Sequence, residues 1–395
     1  MTSDPRTDRT VSVIVPARAA EPAPPCLDQL PRLRYPAEKV EVLLAVGDNA
    51  SVQRNVAAGE AQGDILYFID DDCRVDRDAL LRMNDVYQDH PDAAGVGGPS
   101  LGRRDDGPLQ RSISVAMGSV FGLGPVRHRY YPSGLIRNAG DNELILCNLS
   151  MRKEAWRRHR GFDPRLYPNE ENEFINRVQK DGTRFRYHPL MTVSRSPRPN
   201  LRALALQCFR YGAGRIAHYR IRPDFINLVL LAPMLFVAYL AWIAALAVGE
   251  FWAYGGPGFL LAEWWRPTWW FLLPLAIYLN LLGAAALFAA LSSGGVRGFL
   301  HLLAIYPTIH CAYGLGMFVG RLRRFPALER RPSVRLYRLK PLGVPFPAEG
   351  RLLAGAAPID VSEAIGRMIT RAAASAPTPG ARPREKSNAA GVRGG

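Results

Sequence analysis

Three consecutive carboxylates, Asp70, Asp71 and Asp72, follow the unbroken apolar run Ile65-Leu66-Tyr67-Phe68-Ile69. Such a run suits a strand buried on both faces of a parallel sheet. In open α/β sheets, ligands bind beyond the carboxyl ends of strands. Adjacent acids repel one another unless a cation shares them. Asp70 and Asp72, one residue apart, are placed to reach one hard cation that also carries phosphate oxygens. The other open reading is a solvated acidic turn that stops a strand. A second acidic group, Glu170-Glu171-Asn172-Glu173, opens a helix expected to run to about Lys180. Acids in a first helical turn complement the helix dipole, so capping is the plain reading there.

These acids need elements to position them. Residues 11–16, VSVIVP, are β-branched and apolar and read as a first buried strand closed by Pro16. Residues 17–36 are rich in proline, with a short helix expected near 27–33. Residues 40–46, VEVLLAV, read as a second strand ending in the turn-forming Gly47-Asp48-Asn49. Ser51 is expected to cap a helix over 52–62. Strand, helix, strand, helix, strand up to Asp72 argues for a parallel, right-handed, doubly wound α/β sheet. Further on, helices are expected over 76–89 and 153–159, and strands over 94–98, 144–151 and 185–189. Residues 101–140, rich in Gly, Arg and Tyr, read as a loop, either a substrate-side insertion or a mobile segment. His128 and His188 read as ordinary surface or core histidines.

The 395 residues are enough for more than one domain. The formal net charge is +15, from 50 Lys+Arg against 35 Asp+Glu. Nucleic acid or an anionic membrane surface would each account for that excess. The arginines cluster at 195–222 and 321–335, beside apolar segments, which favours membrane lipids and argues against nucleic acid. Cys26, Cys73, Cys147, Cys208 and Cys311 are scattered without a CxxC pair, so neither a disulfide framework nor a zinc site is expected. The N-terminus MTSDPRTDRT has no apolar signal core, and the first domain is expected to stay in the cytosol.

Residues 201–219 read as a basic amphipathic helix suited to a membrane interface. Residues 226–248 and 268–292 are long and apolar, the second with Trp264, Trp265, Trp269 and Trp270 at one end as an aromatic belt. Residues 299–320, with His301, Pro307 and His310, form a weaker third segment. Arg222 before the first span is expected in the cytosol. Three full spans would then place Arg321, Arg323 and Arg324 outside, against the positive-inside rule. Either the third segment is re-entrant or interfacial, or the rule fails here.

At this point the pattern resembles the family 2 glycosyltransferases, which have the GT-A fold. VSVIVPAR at 11–18 resembles their opening nucleotide-binding strand. Asp48-Asn49-Ala50-Ser51 resembles the acidic turn after the second strand. Gln53-Arg54-Asn55, followed by Ala61-Gln62-Gly63-Asp64, resembles the ARNxGxxxAxGD stretch. Phe68-Ile69-Asp70-Asp71-Asp72 resembles the DxD metal motif. Cys147-Asn148-Leu149-Ser150-Met151-Arg152, then Gly161-Phe162-Asp163, resembles the acceptor-side stretch. Glu170-Glu171-Asn172-Glu173-Phe174 with Arg177 resembles the EDxEL…R motif. The pieces come in the family's order, which composition does not explain. Tyr211-Gly212-Ala213-Gly214-Arg215 before the spans is similar to the membrane-bound, exopolysaccharide-type members such as succinoglycan glucosyltransferases.

The resemblance implies a GT-A domain over 11–215. Around it are expected a flexible N-terminus over 1–10, a membrane region over 216–325 and a basic, largely disordered tail over 326–395. It implies a multi-pass protein of the cytoplasmic (inner) membrane with its catalytic domain on the cytosolic side. It implies inverting transfer of a sugar from a nucleotide-diphosphate donor to a lipid-linked or glycan acceptor, for cell-surface polysaccharide or glycolipid. The implied cofactor is Mg2+ or Mn2+ on Asp72 and Asp70, with Asp71 facing away. Pro16, Ala17, Asp48, Arg54 and Asp70 are the implied donor contacts. Asn148, Arg210 and Arg215 are implied for acceptor or phosphate, with anchoring at the membrane surface an equal reading of the two arginines. Glu171 is the implied general base, with Glu170 second.

Three departures from the family pattern stand out. Ser51 runs almost directly into Gln53, where the family usually places another helix and strand, so the sheet is expected to lack one strand. Glu171 stands where the family has Asp. Gln207-Cys208-Phe209-Arg210-Tyr211 only approaches the QxxRW motif of processive synthases, which argues against processive synthesis. The shortened sheet and the Glu171 substitution motivate an alternative, a catalytically silent membrane scaffold.

Overall fold

The computed structural model describes residues 5–18, 24–254, 268–293, 295–322, 332–339 and 358–374. Strand β1 (Val11–Ala17), strand β2 (Val40–Gly47) and strand β3 (Ile65–Ile69) are buried almost throughout, as their apolar β-branched sequences require. They lie parallel in the order β2-β1-β3. Between β1 and β2 the chain makes 3-10 turns at Leu30–Arg32 and Ala37–Lys39 in place of the expected helix near 27–33. Helix α1 (Ala50–Glu60) starts earlier than expected, because the Asn49 side chain, not Ser51, caps it by accepting from the Val52 amide.

Beyond β3 come β4 (Arg74–Val75), α2 (Ala79–Asp89), β5 (Ala93–Gly97) and β6 (Ser100–Leu101). The stretch expected to be a loop over 101–140 instead holds α3 (Pro108–Met117), α4 (Val120–Leu123) and β7 (Arg137–Ala139). Ile113 and Ala116 of α3 are buried in one cluster with Leu204, Leu282 and Leu302, not against the sheet. The partners that order this stretch are therefore remote in sequence. Then follow β8 (Asn148–Arg152), α5 (Lys153–Arg158), α6 (Glu170–Lys180), β9 (Arg184–Tyr187), β10 (Val193–Ser194) and α7 (Leu201–Ile221).

Among the described residues the main sheet has nine strands which, with β11 (Val334–Leu339) and β12 (Pro358–Ile359) from the C-terminal part of the chain, lie in the order β12-β11-β2-β1-β3-β8-β5-β9-β7. The fully parallel expectation holds for β2-β1-β3 and for the pair β5-β9, but not for the whole sheet. β8 runs antiparallel to both β3 and β5, which makes the sheet mixed. The outer edge of β2 is covered by β11 (Val334–Leu339), in register from Val334 opposite Gly47 to Leu339 opposite Val42. This strand, β12 (Pro358–Ile359) and the helix Ser362–Ala374 lie in the stretch expected to be largely disordered. A long apolar edge strand is a hazard unless it is covered, and β11 covers this one. It also places Arg338 Nε 3.2 Å from the buried Glu41 carboxylate of β2. Within the stretch expected to be flexible, Arg9 is held by its carbonyl, which accepts from the Tyr35 hydroxyl at 2.7 Å.

Among the described residues three helices are long and apolar enough to cross a membrane, with candidate spans Leu228–Gly249, Trp270–Leu291 and Gly295–Leu322. Helix α7 was expected to be interfacial. It is packed between the sheet domain and the third apolar helix, where a side chain on Gly212 would overlap the Tyr313 carbonyl and one on Gly316 the Phe209 carbonyl. Trp264, Trp265, Arg323, Arg324 and the tail segments 340–357 and 375–395 lie outside the described residues.

Candidate active site

Because β1, β2 and β3 are parallel, the ends at Ala17, Gly47 and Ile69 open onto one edge of the sheet. Asp70 follows β3 there, and Asp48 follows β2 as an exposed turn residue. Gln53 of α1 is buried and donates to the Ala17 carbonyl at 2.7 Å, tying the helix to the end of β1. One turn of that helix then carries both Gln53 and Arg54 into the edge.

Arg54 is 5% exposed and spans two acids. Its Nη2 lies 2.7 Å from Asp70 Oδ1 and its Nη1 lies 2.7 Å from Glu170 Oε1. The motif around Asp70 and the acidic helix start are thus joined by a single guanidinium. Asn55 fixes the same helix to the segment before α6, accepting from the Phe162 amide at 2.9 Å and donating to its carbonyl at 2.8 Å. Arg177 closes the other side, with bonds of 2.8 Å to both Glu173 oxygens and to the Gly161 carbonyl. Asn169 precedes α6 with φ of 100°, a left-handed conformation that Asn tolerates better than most residues. Glu170 and Glu171 then sit in the first turn of α6, where the helix dipole favours negative charge.

Two residues that the sequence reading did not single out complete the charge pattern. Arg195, just after β10, places Nη1 2.8 Å from Asp70 Oδ2 and Nε 2.8 Å from Asp72 Oδ1. Asp72 Oδ1 is shielded from solvent yet has no partner in hydrogen-bond geometry, since Arg195 Nε donates to Oδ2 at 3.0 Å. Arg129 lies 3.4 Å from Glu171 Oε1. The local signal for Arg195 was the pair Arg195 and Arg198 immediately behind a short strand, which reads equally well as part of a basic membrane flank.

Burial and charge oppose each other at this edge. For Asp70, burial works against ionisation, but Arg195 and Arg54 outweigh it and hold the carboxyl below its usual range. Asp71 goes the other way, raised by burial and by its neighbours Asp72 and Asp70. Burial pushes Glu170 up to about 7 against the pull of Arg54, with Glu171 adding to the rise.

Not every expected site residue joins them. Pro16 and Ala17 lie in β1, where Ala17 offers its carbonyl to Gln53, not its side chain to a ligand. Asn148 was expected to contact acceptor. It is fully buried, accepts from the Tyr67 hydroxyl at 2.8 Å and donates to the Met191 carbonyl at 2.7 Å, so its amide is spent inside the fold. Arg215 was expected at phosphate or lipid. It is buried and paired with Asp141 Oδ2 at 3.0 Å, tying α7 to the segment before β8. Arg210 is exposed on α7 and does not line the cleft. The residues of α7 that do are Gln207 and Tyr211. With Arg195, Arg198, Tyr130 and Ser114 they border a solvent-open cleft next to the acidic edge.

Asp70 and Asp72 offer the hard oxygen donors that Mg2+ or Mn2+ prefers, and Asp72 Oδ1, which accepts no hydrogen bond although it is ion-paired with Arg195 Nε at 2.8 Å, fits a ligand role. Among the described residues no third His, Cys, Asp or Glu joins them, so a bound phosphate would have to supply further oxygens.

Residues 37–197 match the family model described as Glycosyl transferase family 2. The chain is 30% identical over 210 residues to the succinoglycan biosynthesis protein ExoA of Rhizobium meliloti (strain 1021), an alignment covering 51% of this chain and 61% of that relative. A mannosyltransferase from Pyrobaculum calidifontis, solved with GDP-Man and Mn2+, is similar at 18% identity and a TM-score of 0.45, covering 81% of this chain and 88% of its own. TarS 1-349 of S. aureus, solved with UDP-GlcNAc, is similar at 12% identity and a TM-score of 0.38, covering 89% of this chain and 99% of its own. Arg54, the Asp70–Asp72 acids, Glu170, Glu171 and Arg195 all lie within the segment that matches the Glycosyl transferase family 2 model.

Proposed function

We propose that the protein is an inverting glycosyltransferase that moves a sugar from a nucleotide-diphosphate donor to a lipid-linked acceptor. The observation that carries this reading is the Arg54 bridge, which joins Asp70 at the sheet edge to Glu170 at the start of α6. It sets a phosphate-side carboxylate and a pair of acids side by side in the segment that matches the family 2 model. Asp48 and the end of β1 are assigned to the nucleoside side, and Asp70 to the donor ribose and diphosphate.

Asp72 and Asp70 would hold the divalent cation, which when bound would neutralise the charge that builds on the leaving diphosphate. Arg195, already within reach of both carboxylates, adds fixed positive charge beside that diphosphate. Glu171 is assigned as the base that takes the proton from the attacking hydroxyl. It is the more accessible of the two acids, with 12% side-chain exposure against 3% for Glu170. Glu170, engaged by Arg54, keeps the start of α6 in register with Asp70. A single base and a direct displacement invert the anomeric centre.

The acceptor assignment follows from position. The cleft beside the acids is walled by α3 and α7, and the apolar helices begin directly after α7. We place the catalytic domain on the cytosolic side of the inner membrane, serving cell-surface polysaccharide or glycolipid synthesis, in keeping with the function named for the Rhizobium relative.

Donor hydrolysis and calorimetric binding with a panel of nucleotide sugars test the reading, with and without Mn2+ and beside Asp72→Asn. Metal-dependent binding of one donor, lost in the variant, is the expected result. Folded protein that binds no nucleotide sugar would instead favour the silent membrane scaffold.

A further inference from the structure

We propose that Arg129 is a positioning residue for the transfer step, holding the Glu171 carboxylate and the first turn of α6 in place beside the cleft. The proposal rests on the assignment of Glu171 as the base and adds the group that sets where that base points.

A base must sit within hydrogen-bond reach of the proton it takes. Glu171 stands in the first turn of α6, two residues after Asn169 with its φ of 100°. The backbone amides of a first turn have no partners within their own helix, and a glutamate side chain has several rotatable bonds. Remote elements close on this turn and hold it. Arg54 of α1 takes Glu170 Oε1 at 2.7 Å. The Asn169 side chain donates to the Tyr211 carbonyl of α7 at 3.3 Å, and a side chain on Gly214 would overlap the Pro168 carbonyl. Glu171 takes part in neither contact. Its partner is Arg129, whose Nη1 lies 3.4 Å from Oε1.

Arg129 is held firmly enough to fix that carboxylate. It is buried at the end of the 3-10 turn Gly124–Arg129. Its Nη2 donates to the Asn172 side-chain carbonyl and to the Asp141 main-chain carbonyl. Asn172 in turn donates to the Asn169 side-chain oxygen at 2.6 Å. One planar guanidinium therefore joins Glu171, the next residue of α6 and the segment before β8. A planar fork makes such bonds at fixed angles, which a flexible ammonium does not. The contact is with Oε1, so Oε2 is left to take the proton of the attacking hydroxyl.

The segment that carries Arg129 is fixed on two sides. Toward the sheet, the Tyr187 hydroxyl of β9 lies 3.1 Å from the His128 carbonyl and 3.2 Å from the Tyr131 carbonyl. Toward the apolar helices, the Phe121 ring packs on Tyr306 and His310 at centroid separations of 5.0 and 5.3 Å, and its carbonyl lies 2.9 Å from His310 Nε2. Tyr130, next to Arg129, lines the cleft with Tyr211. One segment thus forms a wall of the cleft and orients the base. An acid that only complemented the helix dipole would need no such partner.

The test uses full-length protein in detergent and measures turnover of radiolabelled UDP- and GDP-sugars with Mn2+, water acting as acceptor. The water oxygen bonds to the anomeric carbon, the nucleoside diphosphate leaves with the electron pair of the broken bond, and Glu171 takes the proton. A small misplacement of a reacting group costs about 10²-fold in rate. Arg129→Gln is expected to lower kcat by about that factor, with KM for the sugar nucleotide within about threefold of wild type. In a Glu171→Gln background the same substitution should change kcat by less than about threefold, because residues that act as a unit are not additive. Arg129→Lys keeps the charge without the fork and should lower kcat about tenfold, again with KM unchanged, which keeps the test open if the Gln variant misfolds.

Wild-type kcat in both Arg129 variants, with Glu171→Gln impaired, would overturn the proposal and leave the base assignment standing. A double variant about 10²-fold below Glu171→Gln, or out of detection, would also overturn it, since Arg129 would then act apart from Glu171. Loss of Mn2+-dependent donor binding in both Arg129 variants would make the role one of folding and overturn it as well. Glu171→Gln with wild-type kcat would overturn the base assignment, and wild-type protein that turns over none of these sugars would overturn the transferase reading. Both of those remove the ground of the proposal, and both are read without any Arg129 variant.

Discussion

The acidic edge of the sheet and the seam between α7 and the third apolar helix are built on opposite principles. At the edge, Asp70, Asp72 and Glu170 are held by the guanidinium groups of Arg54 and Arg195. At the seam, Gly212, Gly316 and Gly320 let one backbone lie on another. Removing one partner of a buried ion pair leaves an uncompensated charge, whereas adding atoms to a close seam creates overlap. The first region should fail on charge-changing substitutions that keep shape, the second on shape-changing substitutions that keep polarity.

The largest effect is expected at the assigned base. Glu171→Gln keeps shape and should lower the transfer rate about 10³-fold or more while donor binding is retained. Asp72→Asn should lower it about 10²-fold or more and weaken metal-dependent donor binding with it. If Glu170→Gln lowers the rate more than Glu171→Gln, the base assignment moves to Glu170.

Arg54→Ala leaves the buried Glu170 without its partner and Asp70 with Arg195 alone, and should destabilise the domain by about 3–5 kcal/mol, read as a lowered denaturation midpoint in detergent. At the seam, Gly316→Ala forces a methyl group against the Phe209 carbonyl and should cost about 1–3 kcal/mol, with donor binding by the folded fraction unchanged.

Glu170 makes a pH prediction. Its native carboxyl is raised to about 7, above the ordinary Glu value, so the native state keeps its proton where the unfolded chain has lost it. Its contribution to stability is therefore fully present below about pH 4.5, declines as pH rises and is gone above about 7. Stability measured from pH 4.5 to 7 should fall with a component that Glu170→Gln removes. Arg210→Ala, on exposed α7 surface, is expected to have the smallest effect, within about 0.5 kcal/mol and with little change in rate.

Much of the edge was legible because its residues carry their chemistry in their type. Carboxylates behind an apolar strand, an Arg-Asn pair on the preceding helix and an acidic helix start are all local signals, and their order adds to them. Arg195 was not legible, because an arginine beside an apolar segment reads first as a membrane flank. Asn148 and Arg215 misled for the converse reason, since a polar side chain does not reveal whether its partner will be ligand or protein. The seam left only glycines whose neighbours lie about a hundred positions away.

The sequence by itself determined the buried parallel strands, the acids at their ends, the resemblance to family 2 glycosyltransferases and the presence of long apolar segments, because strand periodicity, charge and hydropathy are properties of neighbouring residues. Only the tertiary structure decided that one guanidinium joins Asp70 to Glu170, that residues 334–339 close the sheet, and that the third apolar helix lies along the catalytic domain. Those outcomes depend on which remote surfaces meet, where burial, charge pairing and close packing act together and local sequence carries no record of the partner.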